Sequence, residues 1–165
     1  MKLPLMLALA ACLSLHAAEL RIATFQVDAT PPLGSPLCNG AVKPAKEIVT
    51  PLTARGVVLL GAGEPVVLCA FDWVGIANES HDAFRAAVAE AAGTSAERVT
   101  VHTLHQHDAP GSDFATERLL VEHGLPGVYS NVEFDGEVMQ RLATAGKESL
   151  SKARTAGPTV STNAP

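Results

Sequence analysis

From residue 19 to residue 28 the chain alternates, with Leu20, Ile22, Phe25 and Val27 as the apolar positions, a period near two that predicts a first β-strand. Two apolar runs rich in β-branched residues follow at 56–60 and 65–71, separated by Gly61-Ala62-Gly63-Glu64. Glycines at such a turn supply positive φ, so the pair predicts a β-hairpin. The second run is apolar at consecutive positions, and both of its faces are therefore expected to be covered. The period then changes. Ala83, Phe84, Ala87, Val88 and Ala91 lie at helical spacing, with Asn78 or Ser80 as the cap and Gly93 as the stop, so a helix is expected up to Ala92. A further strand is expected over 98–104, which completes a βαβ unit with a parallel, right-handed crossover.

Beyond it, residues 114–123 predict a short helix stopped by Gly124. Ser130-Asn131-Val132-Glu133 reads as a capping box for a helix running to about Arg154, with Phe134, Val138, Leu142 and Ala145 on its buried stripe. Ala156-Gly157-Pro158 halts that helix, and Thr159-Val160-Ser161 reads as the start of another strand. The expected fold class is α/β: a mixed sheet with a hairpin and at least one βαβ unit, and helices packed on the sheet.

Two segments break the pattern. Residues 30–51 hold Pro31, Pro32, Pro36, Pro44 and Pro51 with Gly34 and Gly40, so neither helix nor strand interior can persist there. A loop of this length between strands is expected to run over the surface and rim a site. At the N-terminus, Lys2, an apolar stretch over 3–15 and the small pair Ala17-Ala18 read as a secretory signal peptide over 1–18. The protein is then exported to the periplasm or the medium, and residues 19–165 form a single α/β domain. Leu9-Ala10-Ala11-Cys12 also fits a lipoprotein box, a second reading of the same segment.

Composition narrows the picture. The chain has 165 residues, 47% apolar and 18% charged, which suits one domain with a real core and excludes a disordered tail or coiled coil. A net charge of −5 argues against a nucleic-acid partner. Past the N-terminus no apolar run reaches the length of about 18 residues that a transmembrane helix needs. Cys38 and Cys69 could pair in an exported protein, but Cys69 lies inside an apolar run, where a free buried thiol is the favoured reading.

The chemistry concentrates in Leu104-His105-Gln106-His107-Asp108-Ala109-Pro110. His105 and His107 are two apart, so continued strand geometry would project both from one face, where two imidazoles can reach one metal ion. They follow an apolar strand, at the carboxyl edge where open α/β sheets bind ligands. Asp72 ends the preceding parallel strand and is expected at the same edge, placed to orient a ligating imidazole. His102, at odd separation, is expected to face away. The spacing alone names no reaction. A metallo-β-lactamase site would need His-x-His-x-Asp-His, but here Asp108 follows His107 directly and Ala109 comes next.

This segment resembles the N-terminal catalytic region of the neutral, non-lysosomal ceramidases, which carries Thr-His-Thr-His-Ser-Gly-Pro after a hydrophobic strand. Val27-Asp28-Ala29-Thr30-Pro31-Pro32-Leu33-Gly34 is similar to that family's opening, Pro51-Leu52-Thr53-Ala54-Arg55-Gly56-Val57-Val58-Leu59 to a later stretch, and residues 67–72 to its strand ending in Asp. The resemblance covers about residues 20–112. It implies zinc-dependent hydrolysis of an N-acyl amide, with ceramide cleaved to sphingosine and fatty acid. It makes His105 a zinc ligand, and His107 a neighbour that contacts the substrate or the bound water. With Asp72, His107 forms the expected catalytic set, and the expected partner is an N-acyl lipid or another small amide. Gln106, Asp108 and Ala109 replace the family's Thr, Ser and Gly. The family's other ligands, a second His, a Glu and a Tyr, lie further along a longer chain. The chain therefore reads as the front part of such an enzyme. The alternatives are a non-catalytic exported binding module and a metal-dependent hydrolase of another amide or ester.

Overall fold

A computed structural model describes residues 19–157. The signal-peptide reading, Cys12 and the strand expected at Thr159 lie outside these residues. Among the described residues seven strands and three α-helices follow one another: β1 (Arg21–Asp28), β2 (Thr53–Leu60), β3 (Val66–Phe71), β4 (Gly75–Ile76), α1 (Asn78–Ala92), β5 (Val99–Thr103), β6 (Gly111–Ser112), α2 (Phe114–Glu122), α3 (Val132–Leu150) and β7 (Arg154–Thr155). The main sheet has the order β5-β3-β2-β1-β7. β1, β2 and β3 form an antiparallel meander, and β3 pairs with β5 in parallel across α1, as the βαβ pattern requires. The fold is α/β with a mixed sheet, a hairpin and helices on the sheet. No described helix is long and apolar enough to cross a membrane.

The core lies on one face of the sheet. Phe25, Val58, Val67, Cys69 and Phe71 point into it and meet Phe84 and Val88 of α1 and Phe134, Val138 and Leu142 of α3. Gly56 is required by this packing: a Cβ there would lie 2.0 Å from the Phe25 ring. Burial of these aliphatic and aromatic side chains, each worth about 1.5–3 kcal/mol, is the main stabilising term. Cys38 and Cys69 are both free thiols, and burial pushes the Cys69 thiol up to about 12, so it acts as a small apolar group.

The opposite face is open. Leu68 is 44% exposed, whereas its neighbours Val67 and Cys69 are fully buried. The expectation of two covered faces for β3 therefore fails, because α1 and α3 lie side by side on a single face, with Ala91 of α1 close to Gly146 of α3.

Other boundaries moved for local reasons. α3 stops at Leu150 rather than near Arg154, and Arg154–Thr155 pairs with the start of β1 at the sheet edge. Its cap is Asn131, whose side chain accepts the Phe134 N–H, so the box expected from Ser130 is displaced by one residue. Asn78 and Ser80 do not cap α1; they serve the neighbouring helix instead. Asn78 Nδ2 donates to Asp113 Oδ2 at 2.6 Å, and Ser80 Oγ accepts the Phe114 N–H at 2.8 Å. Gly93 closes α1 in the left-handed conformation as expected.

Candidate metal-binding edge

Behind the site stands an aromatic cluster. Trp73 packs against Phe71, Phe84 and Phe134 with ring centroids 5.2–6.1 Å apart, and its indole N–H donates to the Ala29 carbonyl at 2.8 Å. Edge-to-face and tilted contacts of this kind fix ring positions as well as burying area. The Trp73 backbone thereby becomes a rigid strut one residue beyond Asp72.

The histidine loop hangs from that strut. β5 ends at Thr103, and the ladder goes one step further with the Leu104 N–H donating to the Phe71 carbonyl at 2.9 Å. The next two N–H groups, of His105 and Gln106, both donate to the Trp73 carbonyl at 3.0 and 3.3 Å. His105 has φ +61°. This left-handed conformation costs roughly 1–2 kcal/mol for a residue with a Cβ, so strand pleating does not continue through the pair as the spacing suggested. A turn brings the rings together instead: the His105 and His107 centroids are 5.1 Å apart with planes at 78°. Both side chains are exposed to solvent.

His105 Nδ1 lies 2.8 Å from the Val74 carbonyl oxygen. A carbonyl can only accept, so Nδ1 carries the proton and Nε2 of the neutral ring keeps its lone pair. A backbone acceptor behind one ring nitrogen is the usual device that aims the other at a metal. The sequence assigned that orienting role to Asp72. Asp72 does stand at the same edge, but its Oδ2 accepts from the N–H and the hydroxyl of Thr53, both at 2.8 Å, and the acceptor at His105 Nδ1 is the Val74 carbonyl rather than Asp72.

Asp72, Gln106 and Asp108 line one wall of a cleft of about 640 Å³. The other wall comes from the proline-rich loop, with Leu37, Val42, Ile48 and Val49 as apolar lining and Lys43 among the charges. The loop thus runs over the surface and rims this cleft, which His105 and His107 do not line. Its 3₁₀ turn at Cys38–Gly40 also touches the histidine loop, where the Cys38 N–H donates to the Ala109 carbonyl at 2.8 Å. His102 is exposed in register with Ala70, His81 Nε2 lies 3.2 Å from the Val101 carbonyl, and His123 Nδ1 lies 2.8 Å from the Leu119 carbonyl. None of these three joins the pair. Among the described residues no group of three or more His, Cys, Asp or Glu side chains is arranged to hold a metal ion.

Two features escaped the sequence. The Val74 carbonyl has no side-chain signature. The buried carboxyl of Asp135 resembles an ordinary acidic residue in a first helical turn, yet its Oδ2 accepts from Ser112 Oγ at 2.7 Å beneath the loop. Burial pushes Asp135 up to about 7, opposed by the Ser112 hydrogen bond and reinforced by the Glu117 charge. Burial would also raise Asp113, but hydrogen bonds from Thr116, Asn78 and Ala115 outweigh it and hold that carboxyl below its ordinary value.

No protein-family model matches the chain, and no curated protein sequence matches it. Solved structures do. A neutral ceramidase from Pseudomonas aeruginosa superposes with a TM-score of 0.61 at 17% identity, over 84% of this chain and 22% of that one. A ceramidase complexed with C2 gives 0.60 at the same identity and coverage. The likeness establishes the fold relation. The chain spans little more than a fifth of the length of these structures.

Proposed function

We propose that this chain is the N-terminal portion of an exported, zinc-dependent amide hydrolase resembling neutral ceramidase, acting on an N-acyl lipid or another small amide. One observation carries the reading: two imidazoles 5.1 Å apart at an open strand edge, one of them with Nε2 left free by a backbone hydrogen bond. In this reading His105 Nε2 holds zinc, and His107 contacts the substrate or its water. Gln106 and Asp108, which alternate with the two histidines along the chain, line a cleft together with Asp72, and the apolar wall of that cleft suits an acyl chain. Zinc, when bound, polarises an amide carbonyl and brings the pKa of a bound water to about 7. A catalytic zinc takes about three protein ligands, so the remaining ones come from polypeptide outside the described residues.

Isothermal titration of the chain with zinc tests this. Zinc binding that disappears in a His105→Ala, His107→Ala double variant supports the assignment, and unchanged affinity in that variant refutes it. The incomplete ligand set favours a second reading, a non-catalytic binding module. Binding of a fluorescent N-acyl amine with zinc chelated, undiminished in the double variant, would select the module.

A further inference from the structure

We propose that Asp135, buried on α3 and distant in sequence from the histidines, is a positioning residue that fixes the His105–His107 loop through Ser112. The proposal rests on the reading above only for its zinc consequence.

Ser112 and Asp135 are 2% and 1% exposed, and the Ser112 hydroxyl donates to Asp135 Oδ2 at 2.7 Å. Ser112 belongs to β6, which pairs in parallel with β4 and accepts the Ala77 N–H on its carbonyl at 2.9 Å. Immediately before it, the Pro110 carbonyl accepts the Val74 N–H at 3.0 Å. The carbonyl of that same Val74 holds His105 Nδ1. One residue thus grips both ends of the histidine loop, its N–H the closing end and its carbonyl the imidazole. A two-residue ladder is weak alone, because it contributes few hydrogen bonds and little buried area. Two side contacts brace this one. The Asn39 carboxamide sits where a Gly111 Cβ would be, 1.8 Å from its Oδ1, and Asp135 anchors Ser112 from the opposite helix.

A carboxyl at this depth is costly beside an apolar residue of its size, so packing alone gives no reason for it. Its hydrogen bond to the ladder does. Without that acceptor, the Ser112 hydroxyl is left buried and unpaired, and the ladder loses its anchor on the helix side.

The test uses the whole chain with Asp135→Ala, Asp135→Asn and Ser112→Ala. The readout is the His105 ring tautomer, measured by long-range ¹H–¹⁵N NMR, together with zinc affinity. The wild-type ring is expected as the Nδ1–H form. Both alanine variants are expected to move it towards the mixture of a free imidazole and to weaken zinc binding about tenfold, the usual scale for lost outer-shell support. Asn keeps an acceptor for Ser112, so Asp135→Asn is expected to restore both. If Asp135→Ala does not fold, Ser112→Ala supplies the measurement. Alanine variants that melt earlier yet keep the wild-type His105 tautomer would overturn the proposal and leave Asp135 a purely structural residue. A wild-type chain that binds no zinc would refute the metal reading, while the tautomer still decides the role of Asp135.

Discussion

The two walls of the cleft are built differently. The wall that carries Gln106 and Asp108 is pinned, although His105 and His107 of the same loop do not line the cleft: residues 104–112 hang by hydrogen bonds from Phe71, Trp73, Val74 and Cys38, and Ala109, Gly111 and Ser112 are buried. Of the opposite wall, the part around Leu37 and Val42 is tied down, whereas residues 43–51 are exposed throughout and make no backbone hydrogen bond to another described backbone group. Segments with few buried contacts and solvated backbone open at low free energy, whereas a segment tied into a core opens only with that core. The lesson is a division of labour. Polar Gln106 and Asp108 sit on the wall that cannot drift, and the exposed apolar side chains of Ile48 and Val49 sit on the wall that can adapt.

Undermining the pinned wall should have the largest effect. Trp73→Ala removes the fully buried centre of the aromatic cluster and is expected to cost about 3–5 kcal/mol, read as a fall in the denaturation midpoint. A loss under 1 kcal/mol would mean that the strut behind His105 is not supported by that cluster.

Next comes pH. The Asp135 carboxyl titrates near 3.8 when unfolded and at about 7 when folded, so between these values the native state holds the extra proton. Stability from this group is therefore complete at low pH and lost as pH rises towards 7, at no more than about 1.4 kcal/mol per unit. The groups acting on it are the Ser112 hydroxyl and the Glu117 carboxylate. Denaturation at pH 5.5 and 7.5 should show the chain more stable at the lower pH, and Asp135→Asn should flatten the difference by about 1–2 kcal/mol. A slope that survives in the Asn variant would place its origin elsewhere.

The smallest effect on stability is expected on the free wall. Ile48→Ser with Val49→Ser, both at exposed positions, should change stability by less than about 0.5 kcal/mol. The same pair should weaken binding of a fluorescent N-acyl amine several-fold. Unaltered probe binding would show that this wall does not meet the acyl chain.

Much of this arrangement was legible beforehand. Period-two and period-3.6 patterns located β1, the β2–β3 hairpin, the crossover through α1, and α3 with Phe134, Val138 and Leu142 inward. The parallel crossover in turn placed Asp72 and His105 at one edge. What stayed hidden depended on partners distant in sequence. Asn78 and Ser80 have the chemistry of caps, but which helix they serve is decided by the docking of α2. A ladder as short as Gly75–Ile76 with Gly111–Ser112 leaves no periodic trace. The spacing of His105 and His107 pointed to a shared face for the wrong reason: a left-handed residue and a turn unite the rings, not a continuing strand. The apolar run 66–71 suggested two covered faces, but hydrophobicity records what a side chain tolerates, not what packs on it.

The most direct measurement is a zinc titration of the chain followed at its histidine rings by ¹H–¹⁵N NMR. Saturable shifts are expected at His105 Nε2 and the His107 ring, with the His105 Nδ1–H retained. Saturable binding that leaves both rings unmoved, or that shifts only His81, His102 or His123, would contradict that expectation.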